Sequence, residues 1–417
     1  MIRLSPHHPA RLMVIAAACV TVLRCAAVLV AGTDAIHSAE DYLIATNIAA
    51  GNGYCMVAGI PTAVKAPFVP LILSVFCLTA GTLAPLVIVL VQHCLMSVAA
   101  YMLFAMCRSI MSERAALIAG ILFLIHPSYL VYPFTIESTP WFIFMSILML
   151  RWFAVQWNQR GSTFGAYLTG GVLSALVYLT QPLVLPLLGI LWYNFLRSRI
   201  GVPVRRMLVT AAVFVVCISP WVVRNAVEFG AFIPAKSGFW LNFYTGYDMK
   251  SHGVAEYAVL PPTRVTEIDS LETLTDDVRM ERHYRRAFMD VVQSQPDMYL
   301  KKTAVQFIRY WTLPPRYITN GVILSSVAVR IIPQLLLMVI ILSATPYLWK
   351  HYRWLCIAVM IGTLYFTCVY SLTHTTNIRF KLDSEWMLIP LAGVAAEGII
   401  SQYSMSATRP GLEESES

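Results

Sequence analysis

The chain alternates long apolar runs with short polar breaks. Runs of about 20 apolar residues, the length that crosses a hydrocarbon core, fit 11–32, 83–107, 114–132, 134–156, 164–180, 182–196, 207–223, 321–345, 354–371 and 386–401. The pattern predicts an all-α polytopic membrane protein with about 10 transmembrane helices. The run 66–80, APFVPLILSVFCLTA, is short and is followed by Gly81 and Pro85. It reads as a re-entrant or interfacial helix leading into the second span. Two segments between spans carry most of the polar character, 33–66 and 224–318. The second is too long for a plain connection. Its latter half reads as two amphipathic helices, with Thr275 as N-cap of the first and Pro296 opening the second at a position proline tolerates. Arg309, Tyr310 and Trp311 suit a membrane interface.

The chain thus divides into an N-terminal membrane region (1–223), a large loop (224–318), C-terminal membrane helices (319–402) and a polar, acidic tail (403–417) expected to be disordered. No internal repeat is visible.

Composition agrees. Of 417 residues, 58% are hydrophobic and 12% charged, against roughly a quarter charged in soluble domains. Cys19, Cys25, Cys77, Cys94, Cys107, Cys217, Cys356 and Cys368 all lie inside apolar runs, where cysteine acts as a small hydrophobe. Only Cys55 lies in a polar loop, so neither a disulfide framework nor a zinc spacing is present. The net charge of +8 reflects where the cations sit rather than a nucleic-acid partner. Arg108, Arg114, Arg160, Arg197, Arg199, Arg205, Arg206, Lys350 and Arg353 fall in one set of short loops; the other set holds only Lys65, Arg379 and Lys381. The positive-inside rule then places both termini in the cytoplasm and 33–66 and 224–318 on the outer face. The first span reads as an uncleaved anchor.

Chemistry-bearing residues gather on that outer face. In HSAEDYLIATNIAAGNGYC, residues 37–55, Ser38 with Asp41 three positions on resembles a capping box, and acids suit the positive end of a helix. A carboxylate at the membrane surface can equally act as general base on an incoming hydroxyl. Both readings stand, and Glu40 rivals Asp41 for the second; Tyr42 is a possible accessory. Lys65, set among prolines in PTAVKAPFVP, either snorkels or binds a phosphate as a point charge. Arg224, at the outer end of its span against the charge bias, either anchors at the headgroup layer or recognises phosphate bidentately. The loop THTTNIRFKLDSEW gathers His374, Arg379, Lys381, Asp383 and Glu385, either as a solvated charge run or as a lipid-phosphate site. Arg24 within the first span and Glu137 near the start of the fourth are intramembrane or boundary charges, functional candidates by default. An acidic base beside cations that bind phosphate implies a phosphorylated lipid as donor.

Four segments carry a family resemblance. DYLIATNIAAGNGY followed by PTAVKAPFVPLILSVF resembles the first outer loop of GT-C glycosyltransferases, in particular bacterial relatives of protein O-mannosyltransferase and lipid A aminoarabinose transferase. PWVVRNAVEFGAFIPAKSGFWLNFYTG, ERHYRRAFMDVVQSQPDMYL and RFKLDSEWMLIPLAG resemble their later segments, in the same order along the chain. The resemblance implies transfer of a sugar from a polyprenyl-phosphate donor to a hydroxyl of a glycan, lipid or protein acceptor, on the periplasmic face of the inner membrane. It further implies inversion at the anomeric carbon, and neither a metal nor another cofactor. The family's base maps to Asp41, with Glu40 as rival. Lys65 matches its basic residue before Pro-Pro, although Ala66 replaces the first proline. Arg224, Arg379 and Lys381 match cations near the lipid phosphate. Asp383 and Trp386 stand where relatives carry proline. A transporter or flippase, and a non-catalytic relative, are the alternatives; the lack of a repeat disfavours transport.

Overall fold

The computed structural model describes residues 8–158, 163–197, 204–245, 277–312, 331–373 and 378–407. His374, Thr275 and the tail beyond residue 407 lie outside them. The architecture is all-α, apart from two pairs of very short strands. Helices α1 (His8–Ala31), α2 (Glu40–Ala49), α3 (Phe68–Ala80) and α4 (Ala84–Cys107) come first, followed by α5 (Glu113–Ile125), α6 (Pro127–Val131), α7 (Ser138–Asn158), α8 (Phe164–Thr180), α9 (Leu185–Arg197) and α10 (Val204–Phe229). Helices α11 (Phe239–Thr245), α12 (Asp277–Ser294) and α13 (Pro296–Thr312) lie in the large loop. The C-terminal part holds α14 (Ile332–Ser343), α15 (Thr345–His351), α16 (Arg353–Thr373), α17 (Ile378–Glu385) and α18 (Leu388–Ala407).

Helices occupy the described part of each expected apolar run, residues 321–330 lying outside the described set, but five to seven of them, not about 10, have the length and apolarity of a span. Five stretches are long and apolar enough to cross a membrane alone: Pro9–Ala31, Phe68–Cys107, Ser138–Trp157, Arg205–Phe229 and Arg353–Thr373. Two further runs are bent pairs, at 49° between α5 and the helical turns Pro127–Phe134, and at 64° between α14 and α15. Proline explains both breaks: Pro127 forces His126 to extended backbone, and Pro346 opens α15. Phe164–Thr180, Pro182–Phe195 and Leu388–Ser401 are apolar but shorter. The 40 residues of Phe68–Cys107 would extend about 60 Å as straight helix, twice the hydrocarbon thickness. Gly81, at φ +54°, divides them, and α3 packs on α2 as well as on α1 and α4.

The main core joins α1, α4, α5, α7 and α18 around Leu103, Phe104, Phe123, Ile147 and Trp386. At Gly393 a Cβ would lie 2.5 Å from the Ala115 carbonyl oxygen, so only glycine lets α18 approach α5 this closely. Leu23 and Val30 on α1, and Val216 and Val227 on α10, are exposed; these apolar faces suit lipid. Arg24 is buried and donates from Nη2 to the Leu124 carbonyl at 2.5 Å. The helix break after Ile125 frees that carbonyl, which gives Arg24 a partner inside the bundle. In the large loop, Lys302 Nζ donates to the Ser371 and Leu372 carbonyls at 3.1 and 3.0 Å, a cation at the negative end of α16. This docking buries the Tyr299, Lys302 and Tyr310 face of α13, while Leu300 and Ile308 stay exposed. Tyr310 OH bonds to the Phe380 carbonyl and Trp311 Nε1 donates to Thr367 Oγ1.

Candidate active site

The connections after α1, α6, α8 and α10 meet the N-terminal turns of α17 at one end of the bundle. A parallel pair of two-residue strands starts the assembly. β1 (His37–Ser38) pairs with the strand Thr135–Ile136, and the Ala39 amide donates to the Ile136 carbonyl at 3.2 Å. This pairing occupies Ser38, so Ala39 is the N-cap of α2 and makes no side-chain cap. The capping-box reading therefore fails: Asp41 sits at the second helical position with its carboxylate directed elsewhere. The same pairing brings Glu137, one residue past the strand, beside the acids of α2.

The acids meet three cations. Lys65 Nζ lies 3.0 Å from Glu40 Oε2 and 3.7 Å from Asp41 Oδ2. Asp41 is 1% exposed and its Oδ2 has no hydrogen-bond partner, whereas the Glu40 side chain is 52% exposed. Arg379 Nη1 lies 3.3 Å from Glu137 Oε2. Lys65 holds the Glu40 carboxyl down to about 2, with Arg379 adding to the effect. Burial pushes the Glu137 carboxyl above its ordinary range despite Arg379. Burial also opposes the charge on Arg379, but Glu137, Glu40, Asp41 and Asp383 more than offset it, so its guanidinium is held more firmly than usual. The third cation is Lys236, whose Nζ donates to Gln181 Oε1 at 3.4 Å. Burial, with Lys65 and Arg379 nearby, lowers its ammonium to about 8.

Behind Gln181 lies Asp383, 1% exposed. Its Oδ2 accepts from Tyr370 OH at 2.5 Å and from Gln181 Nε2 at 3.3 Å, and its Oδ1 has no partner. Burial raises this carboxyl to about 7. Where relatives are expected to carry proline, the chain thus has an acid that anchors Gln181, and through it Lys236.

Two predicted phosphate ligands are turned away. Arg379 and Lys381 lie two apart on α17, which is helical, so their side chains diverge by about 200°. Arg379 faces the acids; Lys381 is buried against Gln334 Oε1 and lies 3.3 Å from Glu385 Oε1. Arg224 is spent on the first loop. Its Nη1 donates to the Thr62 carbonyl at 2.8 Å, its Nη2 to the Tyr54 carbonyl at 3.1 Å, and its guanidinium stacks on Tyr54, Trp221 and Phe229. Tyr42 packs into the apolar cluster of Val28, Val69 and Leu73. No group of three His, Cys, Asp or Glu side chains with metal-holding geometry occurs among the described residues.

No protein-family model matches the sequence, and no curated protein matches it. Solved structures do. ArnT from Cupriavidus metallidurans, solved bound to undecaprenyl phosphate, aligns with a TM-score of 0.51 at 15% identity over 97% of this chain and 64% of that one. The oligosaccharyltransferase of Archaeoglobus fulgidus in its apo form aligns with a TM-score of 0.53 at 14% identity over 98% of this chain and 53% of that one. The fold is the GT-C membrane fold. The chain spans less than two thirds of the length of each of these neighbours.

Within this GT-C bundle the Lys65 loop is held from the far side by Asp277, which lies in the large loop. Asp277 Oδ2 accepts from the Ala63 amide at 2.6 Å, and its carboxylate also binds Thr62 Oγ1 and Ser237 Oγ. The Ser237 amide donates to the Ala63 carbonyl at 2.7 Å, and Tyr54 OH donates to the Lys65 carbonyl at 3.1 Å. Neither Asp277 nor Lys236 is evident from spacing. Lys236 carries one usable sign, a lone lysine two residues after Pro234 in an otherwise apolar loop, comparable to Lys65, which lies between Pro61 and Pro67. Asp277→Ala leaves a buried amide and two hydroxyls without their acceptor. At about 1–3 kcal/mol for each unmet group, it should destabilise the protein by at least about 2 kcal/mol in reversible unfolding. Asp277→Asn, which keeps one acceptor oxygen, should recover part of the loss.

Proposed function

We propose that this protein is a glycosyltransferase that moves a sugar from a polyprenyl-phosphate donor to an acceptor hydroxyl at the outer membrane face. The observation that carries this reading is the buried Asp41 carboxylate, whose Oδ2 has no hydrogen-bond partner and only a 3.7 Å ion pair to Lys65, near Arg379 and Lys236, in a GT-C fold. ArnT, solved with undecaprenyl phosphate, supports a lipid phosphate as the leaving group. In the proposed reaction the acceptor O–H gives its proton to Asp41, and its oxygen attacks the anomeric carbon. The bond from that carbon to the phosphate oxygen breaks, and polyprenyl phosphate leaves with the electron pair. Attack from the face opposite the phosphate inverts the anomeric centre.

Charge grows on the phosphate in the transition state, where preorganised cations act most strongly. Lys65, Lys236 and Arg379 supply them, and the reaction as proposed uses no metal ion. Drawing Lys65 onto the phosphate also uncovers Asp41 Oδ2, so that donor binding prepares the base. Glu137 holds Arg379, and Asp383 with Gln181 holds Lys236.

The test is transfer of radiolabel from polyprenyl-phosphate sugars in membranes containing the protein, followed across pH. Only protonated Lys236 attracts the donor phosphate, and its ammonium titrates at about 8. The kcat/KM for donor, which reports the free enzyme, should therefore fall as pH rises through about 8. Lys236→Arg, charged throughout this range, should move that limb upward. A panel of donors that yields no transfer at any pH would refute the reading.

A further inference from the structure

A cavity of about 300 Å³ lies between the loop after α10, the start of α11 and the first turns of α12, with Lys236 in its lining. This matches the lower end of small-molecule sites. Phe232, Phe239 and Trp240 give it aromatic walls, and Lys236, Arg282 and Arg285 give it cations. Its two acids are committed inward. Asp277 holds the Lys65 loop, and Glu281 Oε2 accepts from the Trp240 amide at 3.0 Å. Arg282 and Arg285 are exposed and form no ion pair among the described residues. Arg285 instead lies over the Trp240 ring, 5.6 Å from its centroid. The cavity is thus electropositive, has a flat aromatic face, and shares Lys236 with the cluster around Asp41.

Resting on the transferase reading, we propose that this cavity is the acceptor subsite and that it takes a phosphorylated sugar unit. The sugar ring lies against Trp240 and the phosphate meets Arg282 and Arg285, which present the forked donors that suit phosphate. The shared Lys236 sets the acceptor next to the base.

Binding can be read without turnover. Full-length protein in phosphatidylcholine nanodiscs is titrated with glucose 6-phosphate, glucose and inorganic phosphate by calorimetry. The expected result is glucose 6-phosphate bound about tenfold or more tighter than either, the scale of one charge-assisted contact. Arg282→Gln/Arg285→Gln should abolish that preference, and Lys65→Gln should keep it. Persistence of the preference in the double variant would overturn the proposal. So would its loss in Lys65→Gln, which would place the phosphate at the Asp41 cluster. Competition by phosphatidylglycerol in the disc would assign the cations to bilayer headgroups and equally overturn it. The two arginines are exposed, so the variants fold. Donor-dependent transfer that survives alongside a failed titration removes the subsite and leaves the transferase reading intact.

Discussion

Asp41→Asn should lower kcat for transfer by about a hundredfold or more, the usual weight of a positioned general base, while the protein inserts and folds normally. The amide has the carboxylate's shape and cannot take a proton. The fold has little to lose by the change. Lys65 keeps Glu40 at 3.0 Å, Asp277 and Tyr54 still hold the Lys65 loop, and the first turn of α2 keeps one acid for its dipole. That dipole contribution is about 0.3–1 kcal/mol. Thermal unfolding of the purified variant should therefore shift little. Glu40→Gln separates the two neighbouring acids. Glu40 is half exposed and paired, so its loss should alter donor KM through Lys65 and leave kcat largely in place. A kcat that collapses in Glu40→Gln and survives in Asp41→Asn would exchange their roles.

Sequence pattern exposes the helices and several of the clustered charges, but not the contacts that assemble them. Apolar runs mark the helices among the described residues, because burial in lipid demands continuous hydrophobicity, but five to seven rather than about 10 have span length. Asp41, Glu40, Lys65 and Arg379 are legible as charges beside the apolar runs, and the structure brings all four together with Glu137. The pairing of His37–Ser38 with Thr135–Ile136 was not legible, since two residues carry no periodicity. That pairing removed Ser38 from the cap and placed Glu137 at the site. Lys381 was misjudged because a two-residue spacing means neighbours on a loop and opposite faces on a helix. Arg224 has either a headgroup or a phosphate role open to it by charge and position; the Thr62 and Tyr54 carbonyls that take it instead come from segments more than 160 residues away. Local sequence holds no sign of such partners.

Arg379→Ala should be the most destabilising single change at the site, and its rescue separates structure from chemistry. Glu137 is 3% exposed, and its Oε1 has no hydrogen-bond partner. Deleting Arg379 strands that carboxylate in a buried setting. Breaking such a pair from one side costs about 3–5 kcal/mol, part of which protonation of Glu137 would relieve. Burial already raises the Glu137 carboxyl, so Arg379→Ala should be less damaging at acidic pH, where the acid is neutral, and worse as pH rises through its shifted range. Adding Glu137→Gln removes the stranded charge. The double variant should recover much of the unfolding free energy, with a coupling of at least about 1 kcal/mol between two residues in contact. Transfer should not return with stability, because the glutamine restores packing but not the cation that meets the donor phosphate. Recovery of both together would confine Arg379 to holding Glu137, and the phosphate would then rest on Lys65 and Lys236 alone.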